Sequence, residues 1–131
     1  MNDLLEMDIP EILAEVTTAF KRYEVALKTN DVEVLGELFK NAPYTLRFGM
    51  AENLYGFDEI EAFRKARPSD GLERTLQNTK IITFGENMGI ATTEFRRAAE
   101  DRIGRQSQTW VRQPEGWRIV SAHVSWMDMP C

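Results

Sequence analysis

The sequence predicts one α+β domain, with helices packed on one face of a curved, mostly antiparallel sheet. Helical periodicity fills most of the first half, and period-two alternation fills the second. The resulting order, helix, helix, strand, helix, then four strands, segregates the two kinds of element, which is the α+β signature. Short turn sequences link the last four strands, as antiparallel hairpins require. At 131 residues, the chain has the length of a single domain, taken here as residues 1–131.

Each element follows from local pattern. Ile9, Ile12, Leu13, Val16, Phe20, Tyr23 and Leu27 recur at helical spacing and form one apolar stripe, with Pro10 in a first-turn position where proline is tolerated. The stripe sets Tyr23 on the buried face. Asn30 reads as the N-cap of a second helix, with Glu33 in capping-box position, Leu35, Leu38 and Phe39 facing in, and Asn41-Ala42-Pro43 as the stop. Residues 44–48 alternate as a short strand ended by Gly49. Tyr44, Leu46 and Phe48 form its core-like face, and Thr45 and Arg47 the other. A third helix over 58–66, closed by Pro68, places Phe57, Ile60, Arg64 and Arg67 along one side with Phe63 adjacent, so two arginines flank an apolar stripe. Strands follow over 74–84, 88–97, 105–112 and 117–126, separated by the turn signals Gly85-Glu86-Asn87, Glu100-Asp101 to Gly104, and Pro114-Glu115-Gly116.

Composition narrows the function. Lys and Arg number 16 against 21 Asp and Glu, a net charge of −5, which argues against nucleic acid or an anionic membrane as partner. Apolar residues at 43% and charged residues at 28% argue against disorder. The one cysteine, Cys131, excludes a disulfide framework within the chain and a multi-cysteine metal site, and fits a reducing cytoplasm. Met1 to Glu6 lacks the basic start of a signal peptide, and no apolar run reaches membrane-spanning length. With His123 as the one histidine, no histidine-based metal cluster forms, and no phosphate loop or nucleophile elbow is present. No metal and no cofactor are expected.

The candidate site residues are arginines and a phenol. Arg47, Arg64 and Arg67 fall close together at inward-facing or edge positions; guanidinium forks pair bidentately with carboxylates, so a pocket holding them suits a small planar anion. The competing reading makes Arg64 and Arg67 solvated helix residues paired with Glu61 or other acids, and Arg47 a surface strand residue. Tyr23 brings a hydroxyl into an aliphatic stripe, either as a pocket donor or as a core tyrosine with its hydroxyl at the surface. His123 shares a strand face with Ser121, Ser125, Trp117 and Ile119 and reads as a pocket wall or a structural histidine. Glu52 either lines the pocket mouth or sits in a loop. Glu94 and Arg96 read as a cross-strand ion pair. Gln106-Ser107-Gln108-Thr109-Trp110, a polar strand beside an aromatic, reads as a half-exposed sheet suited to a dimer face.

Taken together, the element order and the ending Gly116-Trp117-Arg118-Ile119-Val120 through Ala122-His123-Val124-Ser125 resemble the nuclear-transport-factor-2-like, or cystatin-like, cone, a SnoaL-like architecture with a pocket at its mouth. Three segments narrow the resemblance: Thr45-Leu46-Arg47-Phe48-Gly49 with Glu52, Gly56 and Ile60-x-x-Phe63-Arg64-x-x-Arg67; Gly104-Arg105-Gln106-Ser107-Gln108-Thr109-Trp110-Val111-Arg112; and the last strand. They are similar to the AtzH-like proteins, including the HpxZ-type oxalurate-catabolism proteins that accompany amidases in the breakdown of ureides and carboxylated ureas. That resemblance implies a decarboxylating amidohydrolase acting on a dicarboxylated urea, with Tyr23 and Arg47 as its catalytic residues. Arg64, Arg67, His123, Ser125 and Glu52 are then expected to shape the substrate site. Two other classes stay open: a non-catalytic ligand-binding or accessory module for a partner amidase, and proton transfer of the isomerase or dehydratase kind, which needs Glu94 or Glu52 to point inward. A closed, arginine-lined pocket of about 300 Å³ or more favours an enzyme. A homodimer through the sheet is expected.

Overall fold

A computed structural model describes residues 5–129. Cys131 and the first four residues of the acidic N-terminus therefore lie outside the described residues. The elements run α1 (Pro10–Thr29), α2 (Val32–Leu38), β1 (Leu46–Phe48), β2 (Asn53–Tyr55), α3 (Phe57–Ala66), β3 (Thr75–Phe84), β4 (Met88–Arg96), β5 (Ile103–Gln113) and β6 (Gly116–Met127). The six strands form one sheet in the order β2-β1-β6-β5-β4-β3. All neighbours are antiparallel except β1 and β6, which are parallel. The helices pack on one face of this sheet, as the segregated order predicts. No helix is long and apolar enough to cross a membrane among the described residues.

The α1 stripe is the spine of the core. Ile12, Val16, Phe20, Tyr23, Ala26 and Leu27 are buried against Ala91, Trp110, Trp117, Ile119 and Ala122 of the sheet. Glu24 is buried too, so the inward arc of α1 is wider than its apolar stripe. The cap between the helices differs from expectation. Asn30 is the C-cap of α1, in the left-handed region at φ 50°, and Asp31 caps α2 by accepting from the Val34 N–H at 3.2 Å. Asparagine tolerates that backbone region, and a short carboxylate serves an N-cap well. Asn30 also reaches across to α3. Its Nδ2 donates to the carbonyls of Arg64 at 3.0 Å and Arg67 at 3.4 Å, tying the end of α3 to the end of α1.

Two face assignments are reversed, and β6 causes both. Its register against β5 pairs Thr109 with Ser121 but Trp110 with Ile119, leaving Val120 as an extra residue in a bulge. A bulge shifts side-chain parity. Trp117 and Ile119 therefore face in before it, and Ala122 and Val124 face in after it, while Ser121, His123 and Ser125 turn to the outer face. β1 pairs with the segment beyond the bulge, Arg47 beside Ala122 and Phe48 beside His123. Arg47 and Thr45 are consequently buried, and Leu46 and Phe48 lie on the outer side with Tyr55. Gln106, Gln108 and Trp110 likewise face in and are buried, leaving Ser107 and Arg105 outside, so this strand's polar residues do not all serve an exposed face. Glu94 is not paired with Arg96; it accepts from Gln77 and Asn78 at the β3 bulge.

Gly104 marks a tight point of the core, where a Cβ would fall 2.1 Å from the Phe95 ring. That ring leans on Trp126 at 5.4 Å between centroids. Gly104→Ala should destabilise the fold by about 1–3 kcal/mol through overpacking. Urea denaturation measures this, and adding Phe95→Leu should recover part of the loss.

Candidate functional site

α1, β1, the β1–β2 turn and the chain after α3 meet β5 around a cavity of about 140 Å³. Tyr23, Arg47, Glu52, Arg67, Arg74, Arg97 and Gln106 supply its polar lining, and Leu27, Leu72 and Val124 part of its apolar wall. Larger concavities exist, of about 610 Å³ beside Trp126, about 440 Å³ between α1 and Trp117 and about 340 Å³ beside Tyr55, but none of the three touches Tyr23 or Arg47. The cavity is smaller than the 300 Å³ expected, a size for a small molecule and not a drug-sized one.

Arg47 is 5% exposed and stands with its guanidinium 5.5 Å from the centre of the Phe63 ring; Arg67 stacks on the same ring at 5.4 Å. Phe63 thus spaces two cations while keeping them near one another. Glu52 faces Arg47 Nη1 at 3.7 Å, an ion-pair distance too long for a hydrogen bond. The turn holds Glu52 there: its carboxylate accepts from the Ala51 N–H at 3.1 Å, and Gly49 leaves the room, since a Cβ at Gly49 would fall 2.5 Å from Glu52 Oε1.

Arg64 stands behind the cavity instead of lining it. It is 2% exposed, its Nη2 donates to the Tyr23 hydroxyl oxygen at 3.3 Å, and its guanidinium lies 5.3 Å from the Phe39 ring centre and 5.8 Å from that of Tyr23. Glu61, the expected partner on α3, pairs with Lys65 at 3.5 Å. Burial pushes the Tyr23 phenol up, but the guanidiniums of Arg64, Arg47 and Arg74, with the Arg64 hydrogen bond, outweigh it and hold the phenol below its ordinary value of 10. Burial pulls Arg47 down, repulsion from Arg64 adds to this, and Tyr23 and Glu52 oppose it. Burial, then Arg64 and Arg47, pull Arg67 down to about 10. All three arginines carry buried N–H groups with no hydrogen-bond partner: Nε and Nη1 of Arg47, Nε and Nη1 of Arg64, and Nε and Nη2 of Arg67.

Of the residues expected at the site, Tyr23, Arg47, Arg67 and Glu52 are brought together, and Arg64 supports Tyr23 from behind. His123 and Ser125 are not there. His123 is exposed on the outer face, edge-on to Phe48 at 5.8 Å, and Ser125 accepts from Arg105 at 3.1 Å on that same face. Sequence pattern alone does not single out Glu24, Arg74, Arg97 or Gln106. Glu24 lies one position past Tyr23, where a helix wrapped by a sheet still faces inward, and that width is the one signal the sequence offers. Both oxygens of Glu24 accept from Arg74, at 3.1 Å from Nε and by a close contact with Nη2. Glu94 faces away, so of the two carboxylates either of which could serve proton transfer, Glu52 alone reaches the cavity. No cluster of His, Cys, Asp or Glu suited to a metal is present among the described residues.

A family model described as AtzH-like matches residues 5–130. A crystal structure of a protein of unknown function of the DUF3225 family from Pectobacterium atrosepticum is 58% identical, with a TM-score of 0.92 over 93% of this chain and 95% of that one. A cystatin-like fold protein from Burkholderia xenovorans is 42% identical, with a TM-score of 0.92 over 96% of this chain and 99% of that one. A nuclear-transport-factor-2-like protein from Salmonella enterica, 24% identical over 92% of this chain and 94% of that one with a TM-score of 0.74, shares the fold. The expected cystatin-like architecture is the one observed. No curated protein matches the chain.

In a Tyr44→Phe/Tyr55→Phe background, where Tyr23 is the one tyrosine left of three, absorbance at 295 nm should report its ionisation below pH 10. Arg64→Met should raise that midpoint, because burial then acts against less positive charge. An unmoved midpoint would show that Arg64 does not set the phenol's acidity.

Proposed function

The chain belongs to the AtzH-like family, and on that premise we propose that it is a decarboxylating amidohydrolase acting on a small N-carboxylated urea with its own side chains. The observation that carries this reading is the Tyr23 phenol, backed by Arg64 and set in one cavity with Arg47 and Arg67, each of which has buried N–H groups without a hydrogen-bond partner. Guanidiniums fit carboxylates in charge and in planar geometry. The substrate's carboxylate lies against Arg47 and Arg67, which relieves the repulsion among the buried cations. The bond between nitrogen and the carboxyl carbon breaks, carbon dioxide leaves, and the electron pair stays on nitrogen. Tyr23 donates its proton to that nitrogen. Arg64 stabilises the phenolate left behind, which takes a proton back from water. A buried site makes each of these electrostatic effects larger than it would be in water.

Turnover of a dicarboxylated urea, generated in place by a coupled amidase and followed by carbon dioxide release, tests the reading. Arg47→Ala should lower the rate by roughly 10²–10³-fold and Tyr23→Phe by roughly 10²–10⁴-fold, with folding checked by circular dichroism. Full turnover in both folded variants would end it. A proton donor must be protonated, so kcat/KM should fall as pH rises through the lowered Tyr23 value, on the alkaline side but below pH 10.

A further inference from the structure

Gln106 sits on β5 with its side chain buried and lining the same cavity. Its amide orientation is fixed by its neighbour. Arg74 Nη2 lies 3.0 Å from Gln106 Oε1, and arginine has donors only, so the amide must turn its oxygen to Arg74 and its Nε2 away. That Nε2 is buried and has no hydrogen-bond partner. Arg74 has little freedom of its own: it is buried, both oxygens of Glu24 accept from it, and its guanidinium lies 4.4 Å from the centre of the Phe95 ring. A chain of contacts thus runs from Glu24 on α1 through Arg74 to Gln106, a cavity-lining residue whose buried Nε2 has no hydrogen-bond partner.

We propose that Gln106 is a catalytic residue that donates Nε2–H to the central carbonyl oxygen of the bound carboxylated urea, with Glu24 and Arg74 as the residues that position it. This rests on the substrate class proposed above. The chemistry separates the donors by kind. Guanidiniums match the carboxylate ends of such a molecule, whereas a neutral amide N–H matches its neutral carbonyl. When the nitrogen–carboxyl bond breaks, the electron pair on nitrogen spreads onto that carbonyl oxygen. A donor already aimed there strengthens its bond as the charge develops and needs no reorganisation. Its fixed orientation distinguishes this amide from an ordinary polar wall.

Two stable dianions isolate the carbonyl contact without requiring turnover: 3-oxoglutarate has a central carbonyl between its carboxylates, and glutarate has a methylene there. Calorimetry at low temperature should show the wild-type chain binding 3-oxoglutarate roughly tenfold more tightly than glutarate. Gln106→Met should erase that preference while leaving glutarate affinity within a factor of about two, and Gln106→Asn, which keeps the amide but shortens its reach, should do the same if the first variant does not fold. A preference that survives in a folded variant, or one absent from the wild type, overturns the proposal. Binding of neither dianion overturns both it and the anion-site reading. A preference that depends on Gln106 in a chain that releases no carbon dioxide supports the recognition contact and overturns its catalytic role together with the proposed activity.

Discussion

Buried positive charge is the constraint around which this molecule is arranged. Arg64 is enclosed by α1, α2 and α3 without a carboxylate among the described residues, and Arg47 has only the distant Glu52. Charges taken out of water are costly unless paired, and like charges held together add to the cost. The fold offsets this with ring faces, those of Phe39 and Tyr23 for Arg64 and that of Phe63 for Arg47 and Arg67, and with the Tyr23 hydroxyl. None of these cancels a charge. Surplus cation and spare N–H groups support the proposed anion site, and the same surplus lowers the pKa of the nearby phenol.

Support for this cluster comes from places that carry no chemistry. Asn30 ends α1 and fastens the carbonyls of Arg64 and Arg67, so one residue both closes a helix and anchors the backbone that carries two of the arginines. Gly49 leaves room for Glu52 to fold back over Arg47. Glu24 and Arg74 form a buried pair beside the cavity, and in the proposed reading this pair orients Gln106. A buried pair of this kind adds little net stability compared with apolar packing, which is consistent with its keeping a neighbour's amide in one pose.

Much of the fold was legible because it depends on long, strongly periodic segments. The α1 stripe, the inward Tyr23, α3 with its arginines on the apolar side and the four-strand run all follow from spacing. Single-residue irregularities were not legible. The extra residue at Val120 leaves no mark in composition, yet it decides that His123 and Ser125 face outward and, through the parallel pairing of β1, that Arg47 faces inward. Strand β2, three residues long, is too short to register as a pattern. Glu24 and Arg74 lie 50 residues apart, and neither looks unusual until the chain folds them together.

The bulge at Val120 also bears on how this sequence can change over time. Beyond it, β6 keeps Ala122 and Val124 in the core and leaves Ser121, His123 and Ser125 outside. Losing one residue at this point would exchange the two sets, bringing an imidazole and two hydroxyls into the core and, through β1, turning Arg47 out of the cavity. Substitution on the outer face leaves that arrangement intact. The strand can therefore vary freely in side chains at its surface but hardly at all in length, so divergence at the outer face and permanence of the cavity are compatible within a single β-strand.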